Sequence, residues 1–285
     1  VSSKCGVIGF PLAHSISPRF QQPAFDHFGL DVTYRAYETP PEDLPAFFAG
    51  LRDGPWLGCN VTIPHKQAVL GLVDAVSDEA RQIGAVNTVV READGRLSGH
   101  NTDAPGFLRA LEEDAGYAPA GEGAVLLGAG GAALAVAVAL LGAGVRRLTV
   151  ANRTAQRARA TVDALCRHFP AERLAAVALD EDALRRPLAE SSLLVNSTSV
   201  GMAHGPAPEA LPLAPALLGP HLLVYDLVYN PSRTPLLRVA AGAGARTQEG
   251  LPMLIYQGAL AFERWTGRPA PVAIMLEHGR RALAG

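Results

Sequence analysis

Lysine is nearly missing from this chain. Of 25 basic residues among 285, only Lys4 and Lys66 are lysines, and the rest are arginines. Where any positive charge would serve, arginine stands. A retained lysine therefore points to an ammonium that can give up a proton, which a guanidinium practically cannot; on composition alone, chance explains the count equally well. Cysteine is scarce too. Cys5, Cys59 and Cys166 are odd in number and have no metal-ligand spacing, which excludes a disulfide framework and a cysteine-based metal centre. No leader-like segment is visible, so a reduced, cytoplasmic protein is expected. The formal net charge is −2 with no long run of either sign. This argues against nucleic acid or an anionic membrane as partner. An uninterrupted apolar span is also lacking. Residues 124–145 come nearest, but Gly128, Gly130, Gly131, Gly142 and Gly144 break them into strand, turn and helix. Internal repeats and low-complexity linkers do not occur.

What is present is ample material for a core: 48% of the residues are hydrophobic, enough for one large domain or two medium ones. The first part alternates strand and helix, an α/β pattern. Strands are expected at 4–8, 32–37, 56–61, 85–90 and 96–99, the last two around the turn signal Asp94-Gly95. Helices are expected at 19–28, closed by Gly29, at 41–51, at 67–72 and at 77–83, where Asp78 and Glu79 sit in the first turn. Residues 11–18 form a loop rich in hydroxyls; if it is extended, Ser15 and Ser17 face the same side. Pro64 makes continuation of the strand before it implausible, so Asn60-Val-Thr-Ile-Pro-His-Lys66 runs from a strand end into a loop. It offers Asn60, Thr62 and Lys66 as polar groups.

The second part opens with a strand at 124–127, then Gly128-Ala-Gly-Gly-Ala-Ala133, a helix at 133–141 and a strand at 148–150. Glycines between a strand and a helix let the backbone approach a pyrophosphate at the helix N-terminus. The end of the next strand selects the cofactor. A carboxylate there would accept from a ribose 2′-hydroxyl, but the residues are Asn152, Arg153 and Thr154, with Arg157 following. Two guanidiniums suit a 2′-phosphate and hence NADP; a solvated helix start with surface arginines is the competing explanation. Further strands are expected at 193–195, 222–225 and 246–248, so that loops 196–202 and 226–234 follow strand ends. A helix begins at Gly250 and stops at Gly267, and a last one covers 272–283.

A nicotinamide enzyme acting on an alcohol carbon also needs a group to handle the hydroxyl proton. His14, His65 and His100 lie near polar loops but are weaker candidates than Lys66. Asp103, in Asn101-Thr-Asp103 at the end of the first part, is the best partner for Lys66, unless it only caps the helix that follows.

At this point the motifs carry a resemblance. Gly9-Phe-Pro-Leu-Ala-His-Ser-Ile-Ser-Pro18, Asn60-Val-Thr-Ile-Pro-His-Lys66, Gly84-Ala-Val-Asn-Thr88 and Gly99-His-Asn-Thr-Asp103 occur in order. They are followed by the glycine turn, Asn152-Arg-Thr154, Asn196-Ser-Thr-Ser-Val-Gly-Met202, Tyr225-Asp-Leu-Val-Tyr-Asn-Pro231 and Gly250-Leu-Pro-Met253 with Gln257. Together they resemble the shikimate dehydrogenase family over nearly the whole chain.

The resemblance implies an α/β protein of two domains. Residues 1–103 with 250–285 would form a discontinuous substrate domain, to which the C-terminal helices return, and 104–249 a Rossmann-like NADP-binding domain. It implies NADPH-dependent reduction of 3-dehydroshikimate to shikimate, with no metal. Lys66 and Asp103 match the family's catalytic pair. Ser15, Ser17, Thr62, Asn87 and Gln257 match its substrate-holding residues, with Tyr229 nearby, and Gln257 would face Lys66. Gly128, Ala129, Gly130, Gly131 and Ala132 match the pyrophosphate turn. Asn152, Arg153, Thr154 and Arg157 match the 2′-phosphate site, and Leu227, Gly250 and Met253 would flank the nicotinamide. The implied partners are small molecules, and the implied state is a monomer or homodimer.

The departures are modest: Arg19-Phe-Gln-Gln22 stands where the family often has a histidine, Ser197 where alanine is common, and residues 203–220 have no assignment. An NAD-preferring quinate/shikimate dehydrogenase, a non-catalytic shikimate-binding homologue and a tetrahydrofolate-linked dehydrogenase are the alternatives. The last would not need the paired serines or Asn87.

Overall fold

Parallel strands cannot be joined by a tight turn; each return needs a crossover of a dozen or more residues, usually a helix. Alternating strands and helices supply these crossovers in both halves of the chain. The computed structural model describes residues 2–13, 15–203 and 205–284. The chain divides into two units: the first runs to Gly106 and resumes at Ile255, and the second covers Phe107–Leu254. Both boundaries fall inside helices, a few residues beyond 103 and 249, the divisions that the family resemblance implies.

The first unit contains β1 (Ser3–Gly9), α1 (Ser17–His27), β2 (Val32–Glu38), α2 (Leu44–Asp53), β3 (Gly58–Val61), β4 (Ala75–Val76), α3 (Asp78–Ile83), β5 (Thr88–Arg91) and β6 (Leu97–His100). Helix α4 (Asp103–Glu113) leads into the second unit, which contains β7 (Gly123–Leu127), α5 (Gly131–Gly142), β8 (Arg147–Asn152), α6 (Ala155–Leu165), β9 (Leu174–Ala178), α7 (Glu181–Ala189), β10 (Leu193–Asn196), β11 (Leu223–Asp226), α8 (Pro235–Gly242) and β12 (Arg246–Gln248). Helices α9 (Leu251–Thr266) and α10 (Val272–Ala284) close the chain.

The first sheet has the order β2-β1-β3-β5-β6-β4. Strand β5 runs antiparallel to both β3 and β6, while β1 is parallel to β2 and β3. One edge of this sheet therefore collects the C-terminal ends of β1, β3 and β6 and the N-terminal start of β5. Behind the sheet, Phe25 lies 5.0 Å from Phe262 and 6.5 Å from Trp265, ring to ring, and the Trp265 indole donates to the Val89 carbonyl at 2.9 Å. Fully burying each such aromatic contributes about 1.5–3 kcal/mol, and these contacts hold α9 on the unit it returns to. Helix α10 packs on α1.

The second sheet is entirely parallel, in the order β12-β11-β10-β7-β8-β9. The chain winds one way from β7 through β8 and β9, then returns to the other side of β7 for β10, β11 and β12. This is the doubly wound dinucleotide-binding arrangement, and its direction changes between β7 and β10.

Several elements differ from the sequence reading. Residues 67–72 hold a short 3-10 turn, Ala68–Gly71, rather than an α-helix. Strand β9 reads Leu-Ala-Ala-Val-Ala, a composition that favours helix, and pairing with β8 makes it a strand. Helix α7 is obscured by Pro187 inside it, but Asp180 caps it by accepting from the Ala183 amide at 2.9 Å. The unassigned run 203–220 has a core function: Leu213, Leu217 and Leu218 pack with Leu184, Leu236 and Val224.

Candidate functional site

Six polar candidates of the first unit lie beyond the sheet edge where β1, β3 and β6 end. Residues Ser15 and Ser17 follow β1, Thr62 and Lys66 follow β3, Asn87 precedes β5 and Asp103 follows β6. The antiparallel entry of β5 is what places Asn87 there, since Asn60 pairs with Thr88 and Thr88 with His100.

At the centre, the Lys66 ammonium donates to Asp103 Oδ2 at 2.5 Å, with the two side chains 20% and 10% exposed. Asp103 Oδ1 accepts from Asn87 Nδ2 at 2.8 Å. Both carboxylate oxygens are thus committed, and the helix-cap explanation does not apply. The capping acceptor is Asn101 Oδ1, which takes the Asp103 amide at 3.0 Å and the Ala104 amide at 3.4 Å. As first residue of α4, Asp103 also gains from the positive end of the helix dipole.

Behind Asn87 lies a buried polar network that the sequence reading largely missed. Only an amide nitrogen can donate, so the Thr102 N–H, 2.7 Å from Asn87 Oδ1, decides which way the Asn87 amide faces. Its Nδ2 then points to Asp103 and, at 3.5 Å, to Gln257 Oε1 on α9. Thr88 Oγ1 lies 3.0 Å from Asn87 Oδ1 and receives Asn60 Nδ2 at 3.2 Å. Asn60 Oδ1 accepts from the Tyr34 hydroxyl at 2.8 Å. Each donor therefore points along one line, Tyr34 to Asn60 to Thr88 to Asn87 to Asp103. Asn60 braces more than its own loop. Tyr34 carried no sequence signal beyond being an aromatic in a strand.

Two expectations need correction or closure. Residues 15–17 are not extended: Ile16 has φ −89° and ψ 0°, and Ser15 Oγ faces the Ser17 amide at 3.4 Å as the chain turns into α1. His65 is buried, with Nε2 2.7 Å from the Thr39 carbonyl, so it serves the fold rather than the site. His100 lies on β6 with Nε2 3.1 Å from Ser98 Oγ; burial, then Arg264, pushes its imidazole below the usual range. His14 lies outside the described residues.

In the second unit the glycine turn joins β7 to α5. Gly128 has φ +109°, and a methyl group there would lie 2.5 Å from Ser197 Oγ, so glycine is required twice over. Ser197 itself donates to the Leu127 carbonyl at 2.6 Å. Gly130 and Gly131 face open space, and Gly130 caps α5 with no side-chain acceptor on the first-turn amides. That arrangement fits a pyrophosphate.

Strand β8 ends at Asn152, whose Nδ2 donates to the Thr154 carbonyl at 3.0 Å. Arg153 and Arg157 are exposed at the start of α6, and among the described residues no carboxylate pairs with either. Cations at a helix N-terminus oppose its dipole. Two unpaired arginines there have a physical reason if an anion sits between them. Leu227, Tyr229, Gly250 and Met253 belong to this unit. Gly250 lies so close to the Leu227 carbonyl that a side chain could not be accommodated. Among the described residues no cluster of His, Cys, Asp or Glu could hold a metal ion, and no helix is long and apolar enough to cross a membrane.

Comparison with known proteins agrees along the chain. Residues 7–89 match the shikimate dehydrogenase substrate binding domain, residues 114–203 the shikimate/quinate 5-dehydrogenase model, and residues 250–278 the shikimate 5′-dehydrogenase C-terminal domain. The NADP(+) shikimate dehydrogenase of Moorella thermoacetica is 48% identical over 278 residues, covering 97% of this chain and 92% of that relative. The crystal structure of shikimate 5-dehydrogenase from Thermus thermophilus in complex with NADP(H) and shikimate is 43% identical, with a TM-score of 0.87, covering 99% of this chain and 100% of that one. Quinate dehydrogenase from Corynebacterium glutamicum, in complex with NAD, is 35% identical with a TM-score of 0.89, covering 97% of this chain and 98% of that one.

Proposed function

The chain belongs to the shikimate dehydrogenase family, and from that premise we propose that it catalyses the reversible, NADPH-dependent reduction of 3-dehydroshikimate to shikimate, the step that supplies shikimate for aromatic amino acid synthesis. The observation that carries this reading is the Lys66 ammonium held 2.5 Å from Asp103 on the sheet edge that also presents Ser15, Ser17, Thr62 and Asn87.

The first unit is then the substrate domain and the second the cofactor domain. When bound, the cofactor supplies the hydride. The residues that would hold it are the turn from Gly128 to Ala132 for the pyrophosphate and Asn152, Arg153, Thr154 and Arg157 for the adenosine 2′-phosphate. Leu227, Gly250 and Met253 would lie beside the nicotinamide.

Substrate orientation falls to short polar side chains that cannot reach far and so impose a narrow geometry. Ser15 and Ser17 take the carboxylate, and Thr62, Asn87 and Gln257 take the hydroxyls. Asn87 has its oxygen turned inward to the Thr102 amide, so it meets substrate only as a donor. As the carbonyl becomes an alkoxide, Lys66 delivers a proton to that oxygen. Asp103 keeps the ammonium in place, and Asn87 keeps Asp103 in place.

The partners in this reading are small molecules rather than nucleic acid or membrane, the state is a monomer or homodimer, and the compartment is the cytoplasm. The test is reduced-cofactor absorbance with shikimate and with quinate, each with NADP and with NAD. Turnover highest with shikimate and NADP is expected. A preference for quinate with NAD supports the quinate dehydrogenase reading, and ligand binding without turnover supports a non-catalytic homologue.

A further inference from the structure

Asp226 is a buried carboxylate that the proposed chemistry does not use. It sits at the C-terminal end of β11, and among the described residues no lysine or arginine pairs with it. Neutral donors surround it instead. Its Oδ1 accepts from Asn196 Nδ2 at 2.9 Å and from the Val228 amide at 3.1 Å, and its Oδ2 accepts from the Thr234 hydroxyl at 2.7 Å.

The orientation of each donor is fixed from behind. Asn196 Oδ1 takes the Thr198 amide at 3.1 Å and the Thr198 hydroxyl at 2.7 Å, so its nitrogen must face Asp226. Thr234 Oγ1 accepts from the Leu237 amide at 3.2 Å, so its proton is free for Asp226. One carboxylate thus joins three segments: the loop after β10, the loop after β11 and the N-terminus of α8.

These segments lie where the winding of the second sheet changes direction and just beyond, at the C-terminal ends of neighbouring strands, which is where open parallel sheets bind ligands. The Leu227 amide also donates to the Asn196 carbonyl at 2.9 Å, and Gly250 is pressed against Leu227. Stability alone does not ask for this arrangement, because a buried charge without a cation is costly and an apolar residue of similar size would pack without that cost.

We propose that Asp226 is a positioning residue for the nicotinamide half of the cofactor, holding the backbone at residues 196–200 and at Leu227 as one rigid rim. This rests on the reading that NADP(H) binds along the same sheet edge. The adenosine half, at Arg153 and Arg157 beyond β8, is held by other elements and does not depend on Asp226.

The experiment compares two ligands on the full chain: NADPH, followed by its fluorescence, and adenosine 2′,5′-bisphosphate, followed by calorimetry. Asp226→Ala should raise the NADPH Kd about tenfold while leaving the bisphosphate Kd unchanged. Thr234→Val, which removes one donor, should move NADPH in the same direction by about threefold, and Thr234→Ser should restore it. A merely structural role would weaken both ligands together. Equal weakening of both, or an unchanged NADPH Kd, overturns the proposal. If Asp226→Ala does not fold, the two Thr234 variants decide by the same criterion. Wild-type protein that binds neither ligand brings down the cofactor reading itself, and this proposal with it.

Discussion

Gly106 lies against the backbone of Gln257, so close that a methyl group on it would be 2.7 Å from the Gln257 nitrogen and 2.9 Å from its Cα. Neither atom is the tip of a flexible side chain, so the helix segment must shift. Gly106→Ala should destabilise the chain by about 1–3 kcal/mol in urea unfolding. Because Gln257 moves with the backbone, KM for shikimate should rise while KM for NADP does not. A variant with native stability and native KM for shikimate would show that Gln257 does not meet the substrate.

Lys66 is proposed to deliver a proton as well as to pair with Asp103, and two substitutions separate these tasks. Lys66→Ala should lower kcat by about 10²–10⁴-fold with a much smaller change in KM. Lys66→Arg keeps a cation beside Asp103 but cannot release a proton, so it should be nearly as slow. Near-normal turnover of either variant in steady-state kinetics excludes Lys66 as the proton donor.

Tyr34 starts the line of donors that ends on Asp103. Tyr34→Phe leaves Asn60 Oδ1 without its 2.8 Å donor in a buried setting. The expected loss is about 1–3 kcal/mol, measured by denaturant titration. A double-mutant cycle with Asn60→Ala should show coupling of at least about 0.5 kcal/mol, and additive effects would mean the two residues act separately.

Arg153 and Arg157 are proposed to select NADP over NAD. Arg153→Ala and Arg157→Ala should each raise KM for NADP while leaving KM for NAD nearly unchanged, since only NADP carries the 2′-phosphate. Increased ionic strength should weaken NADP binding in the wild type more than in the double variant. Equal effects on both cofactors would place the phosphate elsewhere.

Burial pushes the Asp226 carboxyl up from 3.8 to about 6, against the lowering effect of its hydrogen bonds from Thr234, Val228 and Asn196. The folded chain therefore holds this proton more tightly than the unfolded chain does. The resulting stabilisation is complete below the unfolded value and is lost as pH rises through about 6. Asp226→Asn does not titrate. Relative to that variant, the wild type should lose on the order of 2–3 kcal/mol between about pH 4 and pH 7. Parallel stability curves for the two proteins would show that Asp226 titrates normally.

Much of the architecture was readable from residue order alone. The alternation of strands and helices, the strand–glycine turn–helix unit at Gly128 and the arginines after β8 depend on contacts within a few residues, and such contacts leave periodic and compositional traces. Pairing overrode that local signal in β9, whose alanines favour a helix, and the turn at Ile16 overrode the extended reading of Ser15 and Ser17.

By itself the sequence determined two α/β halves, an NADP-type turn and arginine pair, and a short set of candidates in which Lys66 and Asp103 stood first. Tertiary structure alone decided which of those candidates meet. Lys66 and Asp103 are 37 residues apart, and Asn87 and Gln257 are 170 apart. No local pattern records such a meeting, because it is set by which strands neighbour each other and in which direction they run. The antiparallel entry of β5 brings Asn87 to the edge where β3 and β6 end, and the Thr102 amide turns its side chain toward Asp103. Asp226 shows the same limit: one aspartate among many in the sequence, it joins three segments only because parallel strands bring their ends together.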